Sequence, residues 1–169
     1  MEALSRIRVA NGAIDTTDRK ILALLQDDAK IPQAKVAKAV GLTAPSVNER
    51  IRKLERAGYI RGYVALLDEK KLGQDVTAFV EVFIEQPRYE AGFIEAVSGL
   101  DEVLECHHIT GEFSLLLKVR VADMVAFRTL LIEKLNTVRG VRQTRTLVVL
   151  ATAKEQHRIK VLPTDSNRD

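Results

Sequence analysis

Cysteine is almost absent from this chain of 169 residues, because Cys106 stands alone. A single thiol excludes an internal disulfide framework and a multi-cysteine metal site. Tryptophan is missing and aromatic residues make up 5%, which leaves few rings for stacking single-stranded nucleic acid. No apolar run approaches the ~18 residues that span a bilayer, and the N-terminal residues lack the apolar block of a secretory signal. These absences predict a cytoplasmic protein without a membrane partner, a cofactor or a metal.

Charge is plentiful but unevenly distributed. Hydrophobic residues at 46% and charged residues at 29% indicate a globular chain. Residues 1–62 contain 12 Lys and Arg against 7 Asp and Glu, whereas residues 63–169 contain 14 against 16. A basic first part joined to a mildly acidic second part favours contact of the first part with a polyanion. An ordinary solvated surface is the alternative, which charge alone does not exclude.

The first sixty residues show the spacing of three short helices. Asp15 is suited to cap the first helix and Thr43 the third. A small residue at Ala37, a turn glycine at Gly41 and an apolar residue at Val47 have the offsets of a helix-turn-helix, although any αα-hairpin can share them. The apolar positions that predict the helices are Ile21, Leu22 and Leu25, then Val36, Ala37 and Val40, then Val47, Ile51 and Leu54.

The outward face of the third helix is polar and basic, which predicts a DNA-recognition helix. Its Asn, Glu and Arg side chains match adenine, cytosine and guanine edges, respectively, and further basic side chains suit phosphates. An exposed face with ordinary ion pairs, such as Glu49 with Lys53, is the alternative. Charge, turn spacing and regional net charge together favour double-stranded DNA. The predicted base-reading residues are Ser46, Asn48, Glu49 and Arg52, the predicted phosphate contacts are Lys38, Arg50, Lys53 and Arg56, and Thr43 and Pro45 complete the predicted DNA-contacting set.

Residues 75–154 alternate between strand and helix patterns in the order βαββαβ. Strands are predicted over residues 75–85, 103–109, 114–121 and 142–153, and a further strand over residues 59–67 precedes a charged linker. Helices are predicted over residues 91–97 and from Asp123 onward, the second with Met124, Phe127, Leu131 and Leu135 on its inner stripe. This order predicts a ferredoxin-like sandwich, with both helices on one face of an antiparallel sheet.

One face of the predicted sheet is expected to stay open, because two helices cannot cover both faces of four strands. An exposed apolar face usually indicates self-association. We therefore expect a homodimer, which presents two recognition helices to half-sites separated by a multiple of about 10.5 base pairs. The apolar residues predicted on this open face are Phe79, Phe83, Leu116, Val148 and Leu150.

Catalytic and metal-binding patterns are weak. Cys106, His107 and His108 are adjacent, but neighbouring strand residues point to opposite faces, so the two histidines cannot share an ion. Cys106 with His108 offers too few ligands for a structural site. The sequence shows neither a Ser/His/Asp order nor a glycine-rich phosphate loop. We expect no catalytic residue and no metal site.

Together these motifs resemble the Lrp/AsnC, or feast/famine, family of transcription regulators over about residues 14–153. The resemblance implies an α+β chain with a winged-type helix-turn-helix followed by an amino-acid-sensing αβ (RAM-type) domain. It also implies dimers that often assemble into octamers, with effectors in clefts between dimers, and a nucleoid-associated protein. The motifs are Ile14-Asp15 with DRKIL at 18–22, Val36-Ala37, GLT at 41–43, Val47, Arg50-Ile51, Leu54-Glu55, Gly58-Tyr59-Ile60, Gly62-Tyr63, VLEC at 103–106 and TGEF at 110–113.

The resemblance places the effector site near the loop at residues 110–114. The family usually has Asp at the position of Ser114, where serine keeps hydrogen bonding but lacks the charge; Glu112 is a nearby carboxylate that can replace it. A plain β-turn beside a core helix is the alternative. The predicted effector-binding set is Gly111, Glu112, Phe113 and Ser114, with Met124 and Phe127 as an apolar wall.

The domain organisation follows from these patterns. We predict an N-terminal tail at 1–13, a helix-turn-helix domain at 14–62, a strand and linker at 63–74, an effector-binding and oligomerisation domain at 75–154, and a frayed or strand-exchanged tail at 155–169. The predicted function is sequence-specific transcriptional regulation in response to a small effector, commonly an amino acid, through changes in assembly. An architectural DNA-binding protein without an effector is one alternative. A haem-biosynthesis decarboxylase-like enzyme is another, which the basic third helix disfavours.

Overall fold

The computed structural model describes residues 14–161, so the predicted tail at 1–13 and residues 162–169 of the C-terminal tail lie outside the described residues. The described chain divides into two compact units. The first contains residues 14–65 together with 156–161, and the second contains residues 66–155. Between residues 14 and 161, no helix has the length and apolar character needed to cross a membrane.

Three helices form the first unit: α1 (Thr16–Asp27), α2 (Gln33–Val40) and α3 (Ala44–Arg56). A capping box begins α1, because the Asp15 carboxylate accepts from the Asp18 amide at 2.7 Å and the Asp18 carboxylate accepts from the Asp15 amide at 3.2 Å. Gly41 follows α2 at φ 69°, a left-handed conformation that glycine adopts without steric cost. The predicted helices and turn are confirmed.

The apolar faces of the three helices close on one another. Val36 of α2 and Val47 of α3 are fully buried, as is Ile21 of α1. These residues form a small core. Because α3 buries its apolar stripe in this core, its opposite, polar stripe faces solvent. The complete buried set is Ile21, Val36, Ala37, Val47, Ile51 and Leu54.

The predicted strand over residues 59–67 is wrong. This segment has no strand structure. Tyr59 and Ile60 pack partly against the helical core, whereas the apolar side chains further along remain in solvent, with Val64 83% exposed and Leu66 71% exposed. β-prone residues form a strand only where a second strand offers hydrogen-bond partners. Within residues 14–161 the only sheet has four strands, and this segment is not among them.

The C-terminal segment lies against α1. The Gln26 side chain binds the backbone of Ile159 twice, donating from Nε2 to the carbonyl at 3.1 Å and accepting at Oε1 from the amide at 2.9 Å. Arg158 adds an ion pair with Asp27. The predicted frayed or exchanged tail is therefore docked on the first helix as far as residue 161.

The second unit is one antiparallel sheet with two helices on one face. Its strands are β1 (Val76–Ile84), β2 (Val103–His108), β3 (Leu115–Val121) and β4 (Val141–Val148), in the order β2-β3-β1-β4. A short 3-10 turn (Pro87–Tyr89) leads into α4 (Glu90–Ser98), and α5 (Met124–Thr129) follows β3. Alternate residues of β1 and β3 pack against Phe93 and Phe127 in one core. The ferredoxin-like arrangement is confirmed.

A π-helical turn over Leu130–Leu135 extends α5 and changes which residues face the core. The wider turn shifts the helical register, so Leu130 is buried as well as Leu135, whereas Leu131 is only partly buried. Met124 is 54% exposed. The predicted stripe is right for Phe127 and Leu135 and only partly right for Leu131. It is wrong for Met124, which lies at the first position of α5, before the π-helical turn.

The register of β4 corrects the predicted open face. Val148 pairs with Ala78, whereas Leu147 pairs with Phe79. Cross-strand partners share a face, so Leu147 lies on the open face and Val148 on the helix side. Leu150 lies beyond the end of β4 and is 97% exposed. Because side chains alternate along a strand, a prediction shifted by one residue exchanges the two faces.

Gly140→Ala is expected to destabilise the second unit by about 2–4 kcal/mol. Gly140 has φ 93°, and an added Cβ would lie 2.4 Å from the Cβ of Tyr89, so a methyl group both strains the backbone and collides with Tyr89. Urea unfolding measures the loss. Gly92→Ala is the matched control, because Gly92 lies in α4 with nothing within 4 Å of the added Cβ. Equal stability of the two variants would contradict the expectation.

Candidate nucleic-acid interface and effector loop

The solvent side of α3 carries most of the predicted DNA-contacting residues. Val47, Ile51 and Leu54 face the core, so the helical period turns the positions between them outward. Lys38 on α2 and Thr43 in the turn are also exposed. On α3 the exposed members of the predicted set are Pro45, Ser46, Glu49, Arg52, Lys53 and Arg56, and Asn48 is half-buried.

The start of α3 is fixed by hydroxyl groups. Thr43 Oγ1 accepts from the Ser46 amide at 3.4 Å and lies 2.9 Å from Ser46 Oγ. Pro45 costs no hydrogen bond there, because the first amides of a helix have no partner within the helix. Thr43 therefore caps the first turn of α3. The side chains of Thr43, Pro45 and Ser46 are exposed there, so this end of the helix is accessible to a DNA groove.

Arg50 does not belong to this surface, contrary to the prediction. Its Nη1 lies 2.6 Å from Asp15 Oδ2 and 2.8 Å from Asp18 Oδ1, and the Asp18 side chain is only 4% exposed. The hydrogen bond to Asp18, then that to Asp15, raises the pKa of Arg50. The amide of Asp18, together with Arg50, lowers the pKa of Asp15. Arg50 therefore joins α3 to the start of α1 as a structural cation.

Two predicted base-reading residues have partners within the first unit. Glu49 Oε1 accepts from Arg56 Nη2 at 3.0 Å, and both side chains are about two-thirds exposed. Such an exposed pair contributes little to stability, so both groups are available to a ligand. Asn48 Oδ1 accepts from Gln33 Nε2 at 3.4 Å. Gln33 was missed by the sequence analysis, because helical spacing within one helix does not show contacts with another.

The loop at 110–114 joins β2 to β3. Gly111 has φ 126°, a value that side-chain-bearing residues avoid. The Ser114 amide donates to the Val82 carbonyl at 3.1 Å, and the Ser114 carbonyl accepts from the Ile109 amide at 3.0 Å. The loop therefore has a fixed base, while Gly111 and Glu112 remain exposed.

Phe113 anchors this loop and is not free to line a cleft. It is 4% exposed, and the Arg145 guanidinium carbon lies 4.8 Å from its ring centroid. Arg145 also forms an ion pair with Glu81, its cross-strand partner. That hydrogen bond lowers the pKa of Glu81 and raises the pKa of Arg145. With its ring buried, Phe113 offers little surface to a ligand, and its predicted effector contact stays a prediction.

Met124 and Phe127 are not part of the loop region of the same chain. The loop precedes the first residue of β3, whereas Met124 follows its last residue by three positions. The seven residues of β3 separate its two ends by roughly 20 Å at ~3.3 Å per residue. Phe127 is buried in the core. A cleft lined by both Met124 and residues 111–114 therefore requires two subunits.

The histidines of β2 follow the strand alternation. His107 pairs with Leu116 and His108 with Leu115, so they lie on opposite faces. His107 binds Glu105 at 2.9 Å, and this hydrogen bond, ahead of Lys118, lowers the pKa of Glu105. Burial raises the pKa of the Cys106 thiol. Within residues 14–161 no three His, Cys, Asp or Glu side chains come together as ligands for a metal ion.

Two family models match the chain. A winged helix-turn-helix DNA-binding model matches residues 14–61, and the Lrp/AsnC ligand binding domain matches residues 77–159. Curated relatives include the leucine-responsive regulatory proteins of Escherichia coli (strain K12) and Klebsiella pneumoniae. Each is 42% identical over 150 residues, which cover 88% of this chain and 92% of the relative.

Solved structures agree with these matches. AsnC of E. coli superimposes with a TM-score of 0.81 at 30% identity, covering 88% of this chain and 99% of that chain. A transcriptional regulator of Neisseria meningitidis in complex with L-methionine gives a TM-score of 0.83 at 30% identity, covering 88% and 97%, respectively. Both similarities extend across the helical and the sheet units.

Proposed function

Because the chain belongs to the Lrp/AsnC family of DNA-binding transcriptional regulators, we propose that it binds double-stranded DNA as a homodimer through α3. We further propose that an amino acid, bound between subunits, changes its assembly, and that the protein acts at the cytoplasmic nucleoid. The chain is a regulator and not an enzyme, since it matches the winged helix-turn-helix DNA-binding model and its relatives are named as regulators.

The exposed side of α3 is the observation that supports DNA recognition by particular residues. Ser46, Asn48 and Glu49 lie near its start, and Arg52 lies one turn further on the exposed side. Recognition helices use this part of the helix to contact base edges. Lys53 and Lys38 flank it as exposed cations and suit the two phosphate backbones. Arg50 is excluded from the proposal, because its guanidinium is bound to Asp15 and Asp18.

The open face of the sheet supports a homodimer. Phe79, Phe83 and Leu116 are half-buried there, and Leu147 is 51% exposed. Flanking this apolar centre, Arg145 pairs with Glu81, so an approaching copy meets a neutralised pair. A second copy of the same face would complete a two-sheet core, the usual way of burying such a surface. Assembly of dimers into an octamer is the larger form we propose.

The position of the loop at 110–114 supports an effector site shared by subunits. One chain provides exposed Glu112 and half-buried Ser114, and Met124 is too far along the same chain to face them. A neighbouring subunit would supply the apolar wall. In this proposal Glu112 accepts from the ammonium group of the amino acid, and the Ser114 hydroxyl adds a neutral hydrogen bond. The complex of the Neisseria regulator with L-methionine supports an amino acid as ligand class.

The deciding experiment is a DNA titration with a panel of amino acids. A labelled duplex from upstream of the protein's own gene and a scrambled duplex are each titrated at two salt concentrations, with and without each amino acid. We expect preference for the upstream duplex and a shift with one amino acid, and Glu112→Gln should abolish the shift but not the preference. Preference without any shift would favour an architectural regulator. Equal affinity for both duplexes would contradict recognition at that site.

Arg52→Ala is expected to reduce affinity for the preferred duplex about 10- to 100-fold, because one base contact contributes about 1–3 kcal/mol. Lys38→Ala is the comparison, since loss of a phosphate contact weakens all sequences alike and lowers the salt slope by about one. Fluorescence anisotropy on both duplexes separates the two patterns. If Arg52→Ala weakened both duplexes equally, its role would be backbone contact.

A further inference from the structure

Two arginines converge on one tyrosine in the second unit, in a cluster that the proposed function does not use. The ring centroid of Tyr89 lies 4.9 Å from the Cζ of Arg88 and 5.0 Å from the Cζ of Arg139. Both guanidinium groups also donate to Tyr89 Oη, at 3.0 Å and 3.4 Å. Two positive charges are thus held beside a single phenol oxygen.

No carboxylate neutralises this pair within the described residues 14–161, where neither Arg88 nor Arg139 has an ion-pair partner within 4.0 Å. By contrast, Arg120 of β3 and Arg145 of β4 each pair with a glutamate. Glu90, the nearest acidic residue in sequence, lies 3.9 Å from His108 Nδ1 instead. Like charges at close range repel each other, so an anion between them would relieve the repulsion.

The cluster is made of hydrogen-bond donors. An arginine has five N–H donors and no acceptor. Here each guanidinium donates one hydrogen bond to the phenol oxygen. A phenol that accepts two hydrogen bonds retains its own O–H as a donor. The three side chains therefore present a set of donors, exposed at both arginines, that an acceptor from outside the cluster can bind.

The backbone fixes the cluster in place. Tyr89 packs against the core at the start of α4, and Gly140, next to Arg139, passes so close that a Cβ there would lie 2.4–2.7 Å from three atoms of Tyr89. The Gly140 carbonyl accepts from the Glu85 amide at 2.8 Å. Two segments 50 residues apart are thus locked together, which positions the arginines before any ligand arrives.

We propose that Arg88, Tyr89 and Arg139 form a binding site for the phosphate group of a small molecule. A phosphate monoester carries nearly two negative charges at neutral pH and three acceptor oxygens, which match two guanidinium groups and one hydroxyl. The site is separate from the amino-acid loop at 110–114 and gives the regulator a second small-molecule input. A DNA backbone phosphate shares this chemistry, so the experiment must distinguish the two sources.

The test is calorimetric titration of the full chain with inorganic phosphate at constant ionic strength. We expect saturable binding that weakens about tenfold or more in Arg88→Ala and in Arg139→Ala, and about threefold in Tyr89→Phe. Arg142→Ala is the matched control: Arg142 is exposed three residues beyond Arg139, and its removal should change the Kd by less than about twofold. Thermal unfolding verifies that the three arginine variants, altered at exposed side chains, and Tyr89→Phe, altered at a partly buried one, remain folded.

Three outcomes would overturn the proposal. The first is that phosphate does not saturate the wild type at any concentration. The second is that Arg142→Ala weakens binding as much as Arg139→Ala. The third is that Arg88→Ala and Arg139→Ala lose duplex affinity while the wild type binds no inorganic phosphate. The last result would assign the arginines to the DNA backbone. Lost phosphate binding with unchanged duplex affinity supports the small-molecule site. The test of DNA recognition by Arg52→Ala does not depend on the phosphate titration.

Discussion

Arg50→Ala is expected to destabilise the first unit by about 2–4 kcal/mol, somewhat below the cost of breaking a fully buried ion pair because Arg50 is partly exposed. The substitution leaves the buried Asp18 carboxylate without its cation, although the Asp15 amide still donates to it at 3.2 Å. It also detaches α3 from the cap of α1. Urea unfolding followed by helical circular dichroism measures the loss directly.

Arg52→Ala is the matched control for this prediction, two residues along the same helix. Arg52 is exposed and forms no ion pair within the described part of the chain, so its removal should change the free energy of unfolding by less than about 0.5 kcal/mol. The two variants should therefore separate stability from recognition: Arg50→Ala unfolds easily, and Arg52→Ala folds normally but loses sequence preference. Equal stability of the two would refute the structural role of Arg50.

The loss of unfolding free energy caused by Arg50→Ala should be smaller at acidic pH. The pKa of Asp15 is lowered in the folded state, first by the Asp18 amide and also by Arg50. A carboxylate with a lowered pKa stabilises the fold at pH values above its unfolded pKa, and this contribution is lost as the pH falls through the folded pKa. The difference between wild type and variant should accordingly be full at pH 7 and smaller near pH 3. A difference that stays constant with pH would indicate lost packing and not lost charge.

If the proposed homodimer forms through the open face, Leu147→Glu is expected to raise its dissociation constant at least about 100-fold. Burying a carboxylate without a partner costs several kcal/mol, and about 2.7 kcal/mol corresponds to a factor of 100. Arg145, the cation on the neighbouring open-face position of β4, is already paired with Glu81. Sedimentation equilibrium measures the dissociation. Since Leu147 is 51% exposed in the single chain, the monomer should remain folded.

Val125→Glu provides the control for the open face. Val125 is 74% exposed on α5, and its substitution introduces the same charge in place of an apolar side chain on the helix side of the sheet. The dimer should survive this change. If both variants dissociated alike, the added charge itself would be responsible. If neither dissociated, the open face would not be the dimer interface.

Much of the fold was predictable because local signals and packing agree. Helix caps are one example: Asp15 and Thr43 favour the N-cap position and Gly41 the C-cap position, and each occupies that position. The errors lie where one element depends on another. The segment at 59–67 has strand-forming residues but no strand beside it, and β4 differs by one residue from the register assumed for Val148.

The candidate sites were predictable to different degrees. The exposed stripe of α3 follows from helical periodicity, so most of its residues were identified directly. Arg50 was misassigned, because only the packing of α1 on α3 brings it to Asp18. Met124 and Phe127 were grouped with the loop at 110–114 although β3 separates them along one chain. Sequence spacing contains no information about a neighbouring subunit, which is where the proposal has Met124 meet the loop, whereas Phe127 is buried in the core of its own chain.

The docking of Ile159 and Arg158 on α1 makes the helical unit discontinuous in sequence. The polypeptide leaves this unit after residue 65 and re-enters it at residue 156. A fragment ending at residue 65 therefore lacks the segment that occupies Gln26 and Asp27. Conversely, a break within residues 66–74 would leave the contacts of the C-terminal segment with α1 to hold the two fragments together, and exposed pairs of this kind contribute too little free energy to do so.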